Sequence, residues 1–290
     1  MTFDTAHPLV LTATCPSRMG TTAAVTSFLS ARRFYIMEMQ QFDDTLSLRF
    51  FVRITFCGVH GEAPDVTRLR SEFASVVAEP EQMDWHIHDS RERTRVLLMV
   101  SNFDHCLEDL LYRHRIGELK MDITAIVSNH TTLQPVAVQH RIPFFHLPVT
   151  PVTKAGQEQR LLELVDSTRS ELVVLARYMQ IFSNDLCRQL QGRAINIHHS
   201  FLPGFTGAKP YHQAFERGVK VIGATAHFVT SDLDEGPIIE QVVERVDHRD
   251  TPDTLVAVGR DSERRALSAA VRYSIEHRVF LNGSRTVVFR

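Results

Sequence analysis

At 290 residues the chain exceeds the usual size of a single hydrophobic core, so one large or two smaller domains are expected. With 43% hydrophobic and 23% charged residues it has the make-up of an ordinary globular protein with ample material for a core. A net charge of −2 supplies no electrostatic basis for binding nucleic acid or an anionic membrane, and apolar runs such as Val96 to Val100 are far too short to span a bilayer.

The first residues, Met1-Thr2-Phe3-Asp4-Thr5, lack the basic-then-apolar pattern of a signal peptide, which points to an intracellular, cytoplasmic protein. Cys15, Cys57, Cys106 and Cys187 are scattered without Cys-x-x-Cys spacing, so neither a disulfide framework nor a zinc site is expected.

Leu9-Val10-Leu11 opens a strand that Cys15-Pro16-Ser17-Arg18-Met19-Gly20 breaks, and Val25, Phe28 and Leu29 mark the apolar face of a following helix. A strand over Tyr35 to Phe42 precedes the turn signal Asp43-Asp44. Leu46, Leu48, Phe50, Val52, Ile54 and Phe56 then alternate with Ser47, Arg49, Arg53 and Thr55 in period two, the clearest strand pattern in the chain. Pro64-Asp65 starts a helix with Val66, Leu69, Phe73, Val76 and Val77 on one face, and Met83 to His88 is extended again. The order βαββαβ predicts a ferredoxin-like α/β unit over residues 1–88.

From Arg95 short apolar strands alternate with helices: Val96 to Val100, Ile123 to Val127, Phe144 to Leu147, Leu172 to Ala176 and the strand ending at Asn196-Ile197-His198. Such alternation predicts a Rossmann-like, mostly parallel sheet over residues 89–290, with ligands outside the carboxyl ends of its strands. Further strands over Val219 to Val229 and Pro237 to Val242 bracket the loop Thr230 to Gly236, and a long helix over Thr251 to Glu276 precedes an extended tail.

Asn196 and His198 alternate to one side of their strand as it leaves the sheet. Taken singly, Asn196 reads as a turn cap and His198 as a hydrogen-bonded strand-end histidine. His199 points to the opposite side if the strand continues through it.

Together these segments resemble the formyltransferase family that uses 10-formyltetrahydrofolate, and within it the deformylase branch. The resemblance runs over nearly the whole chain: Leu175 to Ile181, Asn196 to Pro203, Gly223 to Phe228, Asp234-Glu235-Gly236-Pro237 and Thr251 to Arg260. It implies a catalytic trio of Asn196, His198 and Asp234: an amide donor for the oxyanion, an imidazole for proton transfer, and a carboxylate that either holds the imidazole or activates water. It also implies that the pterin lies against Met179, Gln180 and Ile181 and the loop carrying Thr230 and Leu233, with His227 lining the site. Neither a metal nor a cofactor is implied; the folate is the substrate.

The first unit resembles an ACT domain, with Cys15 to Gly20 as its first loop. That implies an amino-acid effector or a contact between copies of the chain, in a homo-oligomer such as a tetramer. Ser17 and Met19 stand where the related enzymes usually carry Asp and Pro, and Asn102 and Thr206 stand where they usually carry Lys. Relatives that formylate a phosphorylated amine carry a glycine-rich loop after the first strand of this domain. Here that place reads Ser101-Asn102-Phe103-Asp104-His105-Cys106, with no glycine and with an acid, which favours water as acceptor over transfer to an amine.

Overall fold

The computed structural model describes residues 4–5, 7–58, 64–204 and 210–290; Thr206 lies outside them. The chain divides into two units, Met1–Arg93 with His277–Asn282 and Val287–Arg290, and Thr94–Glu276 with Gly283–Thr286.

In the first unit the order is β1 (Leu9–Pro16), α1 (Thr21–Ala31), β2 (Tyr35–Asp44), β3 (Arg49–Cys57), α2 (Val66–Phe73), a π turn (Ala74–Ala78), α3 (Glu79–Glu81) and β4 (Asp84–Asp89). The strands form an antiparallel sheet in the order β2-β3-β1-β4, the ferredoxin-like arrangement. Leu11, Val52, Ile54 and Phe56 face Val25, Phe28, Leu69 and Phe73 in one core.

Three details depart from the sequence pattern. Strand β3 begins only at Arg49, because the Asp44 carboxylate accepts hydrogen bonds from Leu46 N (3.1 Å) and Ser47 Oγ (2.8 Å) and closes a turn that leaves Leu46 and Leu48 exposed. Along α2 the π turn adds a residue to the helical repeat, so Val77 stays buried while Val76 rotates to solvent. The alternation of β3 also hides a second buried face. Phe51 packs against Phe280 of β12 (Val279–Asn282), which in turn packs against Phe289, and Arg53 pairs with Glu38 at 3.0 Å. Residues 277–282 and 287–290, which the sequence pattern groups with everything after residue 88, therefore belong to the first unit.

His277 stacks on His88 with ring centroids 3.5 Å apart and planes 9° apart, and His86 lies 5.7 Å from His88. Burial, then the neighbouring His277 and His86, pushes His88 down to about 3; burial, then Arg53 and His86, pushes His277 down to about 4. Both folded values lie below the unfolded value of about 6.5, so the neutral stack contributes stability above roughly pH 6.5 that is lost as the pH falls toward 4. The melting temperature is expected to decline across that window, and less so in His277→Asn, whose side chain suits the φ of +54°. Melting curves at a series of pH values read the slope; an unchanged slope in the variant would remove the stack as its cause.

The second unit comprises β5 (Thr94–Val100), α4 (His105–Arg115), β6 (Met121–Ser128), α5 (Gln134–Gln139), β7 (Phe144–His146), α6 (Lys154–Ser167), β8 (Leu172–Leu175), α7 (Asn184–Gln189), β9 (Ala194–His198), α8 (Pro210–Glu216), β10 (Val221–Phe228), β11 (Ile238–Arg245) and α9 (Pro252–Ile275). Its seven-stranded sheet runs β11-β10-β9-β8-β5-β6-β7, with β9 to β7 parallel and β10 antiparallel to both neighbours. Val96 to Val100 and Val173-Val174 are fully buried, as strands covered on both faces must be. The chain order reverses between β5 and β8, the switch point at which such sheets open a crevice beyond their carboxyl ends. Ser183 caps α7 by accepting from Leu186 N, and a Thr251–Thr254 capping box followed by Pro252 starts α9. Helix α8 carries no sequence signal strong enough to predict it.

Candidate active site

Strand β9 pairs with β10 so that Asn196 lies opposite His227 and His198 opposite Thr225. Period-two alternation then places Asn196, His198 and His227 on one face. Beyond His198 the chain leaves the sheet and is pinned by Thr225, which is fully buried. Its Oγ1 donates to Ser200 O (3.0 Å) and accepts from Leu202 N (3.1 Å) and Gln241 Nε2 (3.0 Å).

Asp234 arrives from the loop between β10 and β11 with φ +59°, and its Oδ1 lies 3.1 Å from His198 Nδ1 and 3.8 Å from His227 Nε2. The hydrogen bond from His198 is the chief reason the Asp234 carboxyl titrates below the usual carboxylate range, against the opposing effect of burial. The predicted trio is thus brought together.

His227 explains how Asn196 is oriented. Its Nδ1 lies 2.9 Å from Phe228 O, a carbonyl that can only accept, so Nδ1 carries the proton. Burial pushes its pKa down and keeps the ring neutral, which leaves Nε2 as an acceptor for Asn196 Nδ2 at 3.3 Å. One amide hydrogen of Asn196 is therefore committed to His227, and the other remains for a ligand.

Gly236 sets the loop that carries Asp234. A Cβ there would stand 1.7 Å from Phe228 O and 3.1 Å from His227 Nδ1, and backbone cannot yield as a flexible side chain does. Gly236→Ala is expected to cost about 2 kcal/mol of stability, as overpacking does, and to lower turnover by displacing Asp234. Denaturant midpoints and kcat check both; an unchanged midpoint would show that the loop absorbs the methyl group.

A cavity of about 310 Å³ opens in front of these groups, lined by Asn196, His198, His227 and Asp234 and by each predicted binding residue: Met179, Gln180, Ile181, Thr230 and Leu233. Met179, Ile181 and Leu233 expose much of their apolar surface around it. The segment through Met179 is fixed by Ser101, which is buried at the end of β5. Ser101 N donates to Arg177 O (3.3 Å), and its Oγ accepts from Met179 N (2.9 Å) while donating to Asn129 Oδ1 (2.7 Å). Asn102 is engaged by Thr132, whose hydroxyl donates to it at 2.9 Å.

His199 does not point away from His198. Strand β9 ends at His198, so alternation stops there, and the two rings lie 4.9 Å apart with His199 on the same cavity. Burial, then Arg177 and His198, pushes its pKa down to about 4.

Behind Arg177 lies a buried cluster that sequence reasoning missed, because its members are as far apart in the chain as His105 and Glu263. Glu263, 1% exposed, receives Tyr211 Oη at 2.9 Å and His105 Nε2 at 2.7 Å, with Arg177 Nε at 3.4 Å. His105, Cys106 and Glu263 are the one group among the described residues with metal-ligand spacing, their ligand atoms within 4.8 Å of one another. Both Glu263 oxygens are already engaged, and the Arg177 cation opposes a metal ion there.

A model of the formyl transferase family matches residues 94–271. The formyltetrahydrofolate deformylase of Corynebacterium sp. (strain P-1) is 52% identical over 97% of this chain and 98% of its own length. That of Escherichia coli (strain K12) is 37% identical over 96% and 97%. The crystal structure of the formyltetrahydrofolate deformylase from Burkholderia mallei ATCC 23344 superposes with a TM-score of 0.93 at 58% identity, covering 98% of this chain and 100% of its own. Glycinamide ribonucleotide transformylase 1 from Symbiobacterium toebii superposes with a TM-score of 0.65 at 28% identity, over 71% of this chain and 98% of its own. By its matched formyl transferase unit and its near full-length likeness to these enzymes, the chain belongs to the formyl transferase family and, within it, to the formyltetrahydrofolate deformylases.

Proposed function

We propose that the protein is a hydrolase that converts 10-formyltetrahydrofolate and water to tetrahydrofolate and formate at Asn196, His198 and Asp234. The observation that carries the assignment of roles is the state of His198: Asp234 holds its Nδ1, while Nε2 is buried and makes no hydrogen bond among the described residues. With its proton held on Nδ1, the imidazole presents a lone pair at Nε2. Asp234 is then the partner of His198, which in turn acts on water.

Water attacks the formyl carbon, its proton passes to His198 Nε2, and the carbonyl electron pair moves onto oxygen. The free Asn196 N–H donates to that oxyanion. Collapse restores the carbonyl and breaks the bond between carbon and N10, which takes the proton from His198; formic acid then loses its own proton to solvent. The pterin lies on the wall of Met179, Gln180 and Ile181 and against Thr230 and Leu233, and His227 keeps Asn196 aimed.

Incubating the protein with 10-formyltetrahydrofolate, with and without amines, tests this. Formate and tetrahydrofolate are expected in equal amounts without any amine. Formyl loss only when an amine is present would instead make the protein a transferase. Asn196→Ala is expected to lower kcat by about a hundredfold or more, as loss of an oxyanion donor does, with KM nearly unchanged. The trio supplies donor, base and orienting carboxylate, so turnover is expected to survive a chelator, and loss of turnover on chelation would require a metal.

By its resemblance to ACT domains we assign the first unit to self-association or to binding an amino-acid effector; in its first loop Ser17 donates to Asp43. Sedimentation with and without free amino acids reads both. The cytoplasm is the compartment that suits a folate substrate and four free, buried cysteines. No helix among the described residues is long and apolar enough to cross a membrane.

A further inference from the structure

Hydrolysis converts a neutral formamide into a carboxylate, so negative charge appears in a half-enclosed cavity that already holds the Asp234 carboxylate. Among the described residues lining that cavity, Arg177 is the one permanently charged cation. Its neighbour His199 is kept neutral by burial and by Arg177 itself.

Arg177 is held with unusual care for a surface-type side chain. Its backbone has φ +66°, a region that a β-carbon disfavours, and its carbonyl is bound by Ser101 N. The side chain is 10% exposed, with its guanidinium carbon 5.2 Å from the centre of the Phe103 ring and its Nε 3.4 Å from Glu263 Oε2. That ion pair lacks hydrogen-bond alignment, and Nε is buried without any hydrogen-bond partner among the described residues. His198 Nε2 is in the same condition on the same cavity. Arg177 and His198 thus line one cavity, each with a buried nitrogen that has no hydrogen-bond partner among the described residues.

We propose that Arg177 binds the formate product, and the oxyanion that precedes it, and that Glu263, fixed by Tyr211 and His105, is the positioning residue that aims the guanidinium. A planar fork of N–H donors matches a planar carboxylate. This rests on the hydrolase assignment above, and a wild-type protein that releases no formate would refute that assignment, whereas the outcomes below bear on Arg177 alone.

The experiment is inhibition of the full-length protein by sodium formate and, separately, by tetrahydrofolate. In Arg177→Met the inhibition constant for formate is expected to rise by about tenfold or more, with that for tetrahydrofolate within about twofold. Arg177→Lys, which keeps the charge without the fork, serves if the methionine variant fails to fold, and is expected to show a rise of about threefold or more. Glu263→Gln is expected to lower kcat and weaken formate while KM for 10-formyltetrahydrofolate stays unchanged, a split that general loosening of the core would not produce. Added guanidinium is expected to restore part of the rate to Arg177→Ala. An unchanged formate constant in a folded, hydrolysing Arg177 variant would overturn the proposal, as would a wild-type protein that formate does not inhibit.

Discussion

Asp234→Asn is expected to lower kcat by about a thousandfold or more while changing folate affinity by no more than about threefold, because the substitution preserves shape and inverts a hydrogen bond. In the native site Asp234 accepts from His198 Nδ1 across 3.1 Å. An asparagine amide offers N–H donors in the same place, which favour the tautomer with its proton on Nε2, the nitrogen that has to receive a proton from water. The carboxylate that stabilises the imidazolium is lost at the same time. Single-turnover rates and equilibrium binding of tetrahydrofolate measure the two quantities independently, and a variant with more than about a tenth of native turnover would take Asp234 out of this role. The carboxyl is also depressed in the folded protein, chiefly by His198. It therefore contributes stability above its unfolded pKa of about 3.9 that fades as the pH falls through the lower folded value.

His198→Ala is expected to be still more damaging, by about ten-thousandfold, because it removes base and acid in one change. The alanine leaves room for a free imidazole, and millimolar imidazole is expected to return a small part of the rate. Combining it with Asp234→Asn should add almost nothing, since the carboxylate acts through the imidazole. Fully additive losses would mean that Asp234 acts on water directly, and near-native turnover in His198→Ala would end its assignment as the proton carrier.

Much of the architecture is legible in the chain because strands covered on both faces must be almost wholly apolar, and Val96 to Val100 and Leu172 to Ala176 are. Asn196 and His198 are legible as a pair for a related reason: period two puts them on one face whatever lies elsewhere. What escapes is whatever depends on distant segments. Phe51 and Arg53 look like the outward half of an alternating strand until Phe280 and Phe289 cover that face. His199 looks averted until the strand is seen to stop one residue earlier. The part of His227 in aiming Asn196 needs its ring proton located, and the Arg177–Glu263 pair joins segments that no local pattern connects.

The pairing of β9 with β10 has a consequence for how this active centre can fail. The amide and the imidazole ride on one strand, the histidine that orients the amide rides on the next, and the acid sits on the loop that follows it. The spacing of Asn196, His198 and His227 is therefore fixed by a backbone ladder rather than by the side chains alone. A slip of β10 along β9 by one position would turn His227 to the opposite side and carry Asp234 out of reach together. With the roles proposed above, catalytic competence in this enzyme would be a direct readout of strand alignment.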